Sequence, residues 1–310
     1  MVEGQEGVSW DEWVALGEAV ERAGLEGLFR SDHYVSTINE TGLGSLDAWA
    51  TLAGLAAVTK RIRLGTMVSP ATFRHPSILA KMTTTVDHIS GGRVELGMGA
   101  GWFEKEHTTF GFDFPATSER MEMLAEQIEI VHGEWSEDVF SFDGAYYSLE
   151  EVHALPKPVQ QPHPPLIVGG SGGAKSIALA ARWADEYNTL FAASDEVGRR
   201  RSRLDEALEK AGRDPSQLTL SMMTTCIVGT DESELEQRVA NVLERTGNDA
   251  TPKEYIEKVA GQRVVGTLAQ AEERLRSLEN AGLERIMLQH LDHTDLDMVA
   301  QLGDLASELR

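Results

Sequence analysis

The sequence predicts an α/β protein: a TIM (β/α)8 barrel with a β-hairpin insertion and a truncated first strand, with residues 1–310 forming one barrel domain. Three observations carry that expectation. Strand-like and helix-like segments alternate with a period of roughly 35 residues, the rhythm of βα units on a parallel sheet. Seven apolar runs read as barrel strands, separated by eight main helices. A glycine-rich turn at Gly169–Gly173 joins a strand to a helix, and barrels gather their ligands at such strand ends.

Taken in order, Ser9 and Glu12 form a capping box that opens the first helix, and Gly24 stops it. LEGLF is a short strand leading to Ser31-Asp32-His33-Tyr34. A helix around 46–59 precedes the strand IRLGTMV, and Pro76 of FRHPS suits the first turn of a helix through Val86. The strand RVELGMGAG follows the Gly91-Gly92 turn, and a polar loop then reaches a helix around 118–135. Residues 139–149 alternate around Asp143-Gly144, a hairpin signal, and the Pro-rich LPKPVQQPHPP is a rigid connector. After the glycine turn come the helix AKSIALAARWA, the strand EYNTLF, a charged helix at 195–211, the strand LTLSMMTTCIV and a helix at 231–245. A variable excursion runs to about residue 263. Thr267 and Gln270 then cap a helix before the strand ERIMLQH, and a last helix closes the chain.

The strand lacking from this series is the first. Met1-Val2 reads as the tail of a strand whose body is absent, so the barrel closes on a stub or the start codon is misassigned; a disordered N-terminus is the other reading.

Composition narrows the function. Against 28 basic residues stand 50 acidic ones, a formal charge of −22. Nucleic acid and anionic membranes are poor partners for such a surface, because both are bound through clustered Lys and Arg. An anionic ligand must then be captured locally, against the overall field, with an affinity that responds to salt. Cys226 is the only cysteine and lies in an apolar run, so disulfides and cysteine metal clusters are out and a core role is expected. No run of eighteen apolar residues and no basic leader appears, and a cytoplasmic location is expected.

The glycine turn carries the most chemistry. Gly169, Gly170, Ser171, Gly172 and Gly173 let the backbone approach a ligand closely, and the following helix offers free N–H groups to an anion. A cofactor phosphate is the natural occupant; a plain surface turn is the bland alternative. A triphosphate loop fits less well, since Ala174 stands where its last glycine belongs, although Lys175 and Ser176 are in place. Other strand ends bring Asp32, His33, Met67, Val68, Ser69, Gly99, Ala100, Gly101, Trp102, Asn188, Thr189, Gln289 and His290 toward the same cavity. Glycines there allow a flat ring to lie on backbone, and Trp102 can supply an aromatic wall.

SDH, LGTMV with FRHP, ISGGRVELGMGAGW and LIVGGSGG, in that order, resemble the luciferase-like monooxygenase superfamily, in particular its branch of coenzyme F420-dependent oxidoreductases. The resemblance implies that Asp32 and His33 lie beside a deazaflavin ring, that Met67–Val68 is a cis peptide buttressing it, that Gly99, Ala100 and Gly101 pass under it, and that Gly169–Gly173 hold its phosphate. It also implies a homodimer. Trp102 departs from the pattern: sugar-phosphate dehydrogenases of the family carry a proton-donating glutamate there, so that activity is not carried over. Glu104, Glu106 and His107 nearby read as a solvated loop face.

His33 is the candidate acid or base, since imidazole titrates near neutral pH; a purely hydrogen-bonding role is the alternative. Asp32, His33 and His290 lack tight metal-ligand spacing, and no metal is expected. The expected activity is hydride transfer between F420 and a small organic substrate. An FMN-dependent monooxygenase served by a partner flavin reductase is the first alternative; a non-catalytic flavin-binding protein and a metal-dependent barrel hydrolase follow. The segments 34–46, 102–117 and 246–263 carry no substrate signature.

Overall fold

In a computed structural model, residues 1–38 and 42–309 are described; residues 39–41, inside the segment 34–46, and Arg310 lie outside the described residues. The strands are β1 (Gly27–Arg30), β2 (Arg63–Thr66), β3 (Ser69–Pro70), β4 (Val94–Gly99), β5 (Phe140–Asp143), β6 (Ser148–Val152), β7 (Leu166–Gly169), β8 (Glu186–Leu190), β9 (Thr219–Gly229), β10 (Val264–Thr267) and β11 (Arg285–Gln289). The helices are α1 (Trp10–Arg22), α2 (Ala48–Val58), α3 (Pro76–Ser90), α4 (Glu104–Phe110), α5 (Thr117–Ser136), α6 (Ala174–Trp183), α7 (Ser194–Lys210), α8 (Glu232–Thr246), α9 (Pro252–Val259), α10 (Leu268–Asn280) and α11 (Leu296–Glu308).

The wall of the barrel runs β1-β2-β4-β7-β8-β9, all parallel, and β11 continues it by pairing with the first half of β9. The stub closes the ring. Val2 bridges Arg30 on one side and His290 on the other; its N–H donates to Phe29 O at 2.9 Å, and His290 N–H donates to Met1 O at 2.9 Å. The expected truncated first strand is therefore a two-residue element. The expected hairpin is the separate antiparallel pair β5-β6.

Below Val2, β1 and β11 do not pair with one another among the described residues. A cavity of about 660 Å³ fills the gap, lined by Leu28, Ile286, Leu288, Val20, Leu283 and Leu302 among others. This cavity lies on the side of the barrel away from the strand C-termini. His290 lines its upper end, buried, with neither ring nitrogen hydrogen-bonded, and burial pushes its pKa down to about 4.

The barrel floor holds an ion cluster. Arg285 donates to Glu95 and Glu186, both at 2.7 Å, and also pairs with Glu26 at 2.9 Å. Arg63 pairs with Glu95 as well. Glu95 and Glu186 are 2% and 4% exposed, so these carboxylates depend on their guanidinium partners.

Two segments differ from the sequence reading. The polar loop after β4 contains α4, whose inward face buries Glu106 and His107 instead of apolar side chains, so it shows no hydrophobic periodicity. Its N-cap, Phe103, makes no side-chain cap bond, so no start signal marked it either. The excursion before residue 263 contains α9, which does carry its signals: a Thr251–Glu254 capping box and Pro252 in the first turn. β10 follows it and pairs with the second half of β9. Cys226 is fully buried on β9, and burial pushes its thiol up to about 12, so it packs and does not react. No helix among the described residues is long and apolar enough to cross a membrane.

Candidate active site

The residues after β1 are held by two separate ion pairs. Asp32, 1% exposed, accepts from Ser69 Oγ at 2.7 Å and from both terminal nitrogens of Arg74 at 2.6 and 3.1 Å. Arg74 reaches on to Tyr34 Oη and Asp47. Asp32 is therefore an anchor that fixes the chain beside it.

His33 turns the other way. Its Nδ1 lies 2.8 Å from Glu106 Oε2, and the second carboxylate oxygen of Glu106 accepts the backbone N–H groups of Tyr34 and Val35. Glu106 is fully buried. Burial alone would lower the His33 pKa, but the hydrogen bond and charge of Glu106 outweigh it and hold the imidazole above its ordinary value. Trp102 and Phe103 approach the imidazole edge-on, with ring centroids 5.9 and 6.1 Å away. Trp102 itself is 64% exposed, standing at the mouth.

Glu106 and His107 thus correct the reading of this stretch as a solvated face. His107 Nδ1–H donates to Phe103 O at 2.8 Å, and its Nε2 accepts the Thr72 hydroxyl at 2.6 Å. Neighbouring residues of α4 in this way tie the helix to the ends of two different strands. A buried acid five residues past the Gly99-Ala100-Gly101 segment has no sequence signature of its own.

The Met67–Val68 peptide is cis, as the resemblance implied. Around Val68 the glycines show why they are glycines. A Cβ on Gly97, Gly99 or Gly169 would meet Val68 methyl carbons at 2.8, 2.7 and 3.2 Å. Val68 therefore occupies space left by three glycines on two neighbouring strands, β4 and β7. Gly101 has φ +78° with Thr72 Oγ1 3.1 Å from where its Cβ would stand, a conformation and a gap that suit only glycine. Ala100 is half-buried between these positions.

In the glycine turn the N–H groups divide. Gly170 donates to Asn188 O and Gly172 to Tyr187 Oη, both at 2.9 Å, so these two shape the turn from within. A Cβ on Gly170 would sit 2.5 Å from Tyr187 Oη and 2.7 Å from Ser176 Oγ. No side chain caps α6 at Gly173, which leaves the N–H groups of its first turn open to an anion. Ser171 and Gly169 frame the turn.

Arg200 on α7 was missed by sequence reasoning. Its side chain runs alongside Gly172, 3.4 Å from where a Cβ there would stand. It is fixed by Glu196, Thr189 and Leu190 O. A charged helix gives no hint of which arginine will face a turn thirty residues earlier.

The remaining candidates serve the wall. Asn188 donates to Ser221 Oγ at 2.7 Å, and Gln289 donates to Glu3 and accepts from Thr225. His290 faces the cavity under the stub, a correction to its expected place at the mouth. Among the described residues no group of three or more His, Cys, Asp or Glu is arranged to hold a metal ion.

Comparison with known proteins adds the following. The profile of the family described as luciferase-like monooxygenase matches residues 2–303. An F420-dependent glucose-6-phosphate dehydrogenase of Microbacterium testaceum is 33% identical over 66% of this chain and 60% of its own length. An FMNH2-dependent dimethylsulfone monooxygenase of Pseudomonas putida is 27% identical over 76% of this chain and 63% of its own. The chain thus spans about six-tenths of each of these relatives. The crystal structure of the monooxygenase RslO1 from Streptomyces bottropensis superposes with a TM-score of 0.84 at 26% identity, covering 99% of this chain and 94% of that one.

Proposed function

The chain belongs to the luciferase-like monooxygenase family, and within it we propose an oxidoreductase that moves a hydride between coenzyme F420 and a small organic substrate. The observation that carries this reading is a pair of fixed features at the C-terminal ends of the strands: the uncapped N-terminus of α6 behind a glycine turn, and His33 locked onto Glu106. The first suits a cofactor phosphate, the second a proton transfer beside a ring.

The residues fit the cofactor. The open N–H groups at the start of α6, with Arg200 beside Gly172, would hold the phosphate of F420. Arg200 is also the local cation that a chain of charge −22 needs for such a ligand. Val68, Gly99, Ala100 and Gly101 would support the ring, with Asp32 and His33 at its side. F420, when bound, supplies the carbon that accepts or releases a hydride. His33 then gives or takes the proton that accompanies the hydride at the substrate, and Trp102 and Phe103 limit water at that edge. A tryptophan cannot donate that proton, so a sugar phosphate is not the substrate proposed.

An FMN-dependent monooxygenase with a partner reductase is the second reading, favoured by the dimethylsulfone monooxygenase and RslO1. Both cofactors carry a phosphate, so equilibrium titrations with F420 and FMN, followed by fluorescence, separate the readings. Tight binding of F420 with weak FMN is expected. Preference for FMN would replace the proposal with the second reading, and binding of neither would remove both. In the same titration Arg200→Ala should weaken F420 by about 10–100-fold, the loss of one charge-assisted contact; unchanged affinity would take Arg200 out of the site.

A cytoplasmic homodimer completes the proposal. Helix α2, AWATLAGLAAV, has no charged residue, and Val58, Ile78 and Ile89 stay exposed on α2 and α3. Light scattering should give twice the 34.0 kDa chain mass; a single chain mass would end this part.

A further inference from the structure

We infer that Glu106 is the positioning residue of the site: its buried carboxylate dictates which nitrogen of His33 carries the proton and which one faces the reacting groups. The inference rests on His33 acting in proton transfer, as proposed above.

The geometry leaves one arrangement. Glu106 Oε1 accepts two backbone N–H groups, so it must be a bare oxygen. Oε2 lies 2.8 Å from His33 Nδ1 and, on a carboxylate, can only accept. Nδ1 therefore bears the hydrogen. That leaves Nε2 as the nitrogen that exchanges a proton, and among the described residues no protein hydrogen bond engages it. Because the two N–H donors belong to the residues directly after His33, one carboxylate fixes both the loop and the ring. His107, one residue on, holds α4 from the other side through Thr72 and Phe103 O. Glu106 cannot swing away without breaking this tether.

The charges that face His33 reinforce the assignment. Glu106 comes from α4, Asp32 from its own strand end and Glu3 from the segment after the stub, all favouring the imidazolium. Asp32 is bound to Arg74, which leaves Glu106 as the acid in direct contact. Trp102 and Phe103 cover the ring without offering it a hydrogen bond.

The test is an NMR titration of the His33 ring nitrogens in the cofactor-free wild-type chain and in Glu106→Gln. The wild type should show the Nδ1–H tautomer and an imidazole that titrates above its usual ~6.5. Glutamine must either turn its amide N–H₂ toward Nδ1 or set it against two backbone N–H donors. The second sets donors against donors and is disfavoured, so the amide N–H₂ faces Nδ1 and the hydrogen moves to Nε2; with the carboxylate charge gone, the titration midpoint should drop by about one unit or more. Turnover of the F420-loaded variant should fall ~10²-fold or more, with F420 affinity unchanged, as when a tautomer-fixing acid is neutralised. An Nε2–H tautomer in the wild type overturns the inference outright. So does a Glu106→Gln variant whose tautomer and titration match the wild type. If that variant fails to fold, Glu106→Asp, which keeps the charge, should retain the Nδ1–H form. Loss of that form with an intact fold would also overturn the inference. Should His33→Ala leave turnover unchanged while the tautomer result stands, it is the proposed proton transfer that fails and not the positioning.

Discussion

His33→Ala will lower turnover by ~10²–10⁴-fold, the usual contribution of a placed acid or base, while the affinity for F420 changes little. The separation is expected because the proposed phosphate contacts sit on β7, α6 and α7, whereas His33 follows β1. The pH profile should carry the same signature. Glu106 keeps the His33 pKa above its ordinary value, so the imidazolium persists further into the neutral range. Substrate reduction, which draws a proton from His33, should hold there and fade as pH rises through that pKa. Substrate oxidation should show the mirror-image limb. In the alanine variant both limbs flatten. Steady-state rates across pH 5–9 for both enzymes decide it: unchanged turnover with intact cofactor binding would dismiss His33 as the proton carrier.

Arg285→Met will destabilise the fold by about 3–5 kcal/mol at pH 8, the range for removing one partner from a buried ion pair. Out of a typical stability of about 5–15 kcal/mol this is a large share. The loss falls on Glu186 above all, which would keep only the Ser221 hydroxyl, whereas Glu95 retains Arg63. Even with Arg285 present, burial raises the Glu186 pKa. A carboxyl whose folded pKa lies above its unfolded one binds more protons when folded, so acid favours the folded state over that interval. The deficit of the variant should therefore shrink between pH 8 and pH 5. Urea unfolding at both pH values measures it. A deficit below about 1 kcal/mol, or one that grows in acid, would show that the floor cluster does not carry the stability assigned to it.

Much of this molecule was legible in the chain because its signals are local. The Ser9–Glu12 and Thr267–Gln270 capping boxes, Pro76 opening α3 and the hairpin around Asp143-Gly144 each need only a few adjacent residues, and each is present. The two-residue first strand was legible too, since an apolar dipeptide before a polar, glycine-containing segment has few other uses. What stayed hidden depends on contacts across the fold. Glu106 reads as solvated until α4 folds it under the loop after β1, and Arg200 is one of several arginines on α7 until the helix is docked. Gly99 and Gly169 were legible as strand-end glycines, and the structure adds that Val68 fills the room left by their missing side chains and by that of Gly97. His290 was misplaced because being last on a strand says which end of the barrel a residue reaches, but not which way its ring turns.

The two-residue closure has a bearing on how the molecule deforms. From β1 through β2 and β4 to β7 the sheet is unbroken, and this arc carries both His33 and the glycine turn. The seam lies outside it, between β1 and β11. A shift at the β1–β11 junction would therefore leave unchanged the span between the two ends of the proposed cofactor site. The compliance would be taken up on the far lip, where Gln289 and Glu3 meet. Two ends of one site borne on a continuous arc of hydrogen-bonded strands keep a fixed distance between them whatever the rest of the ring does.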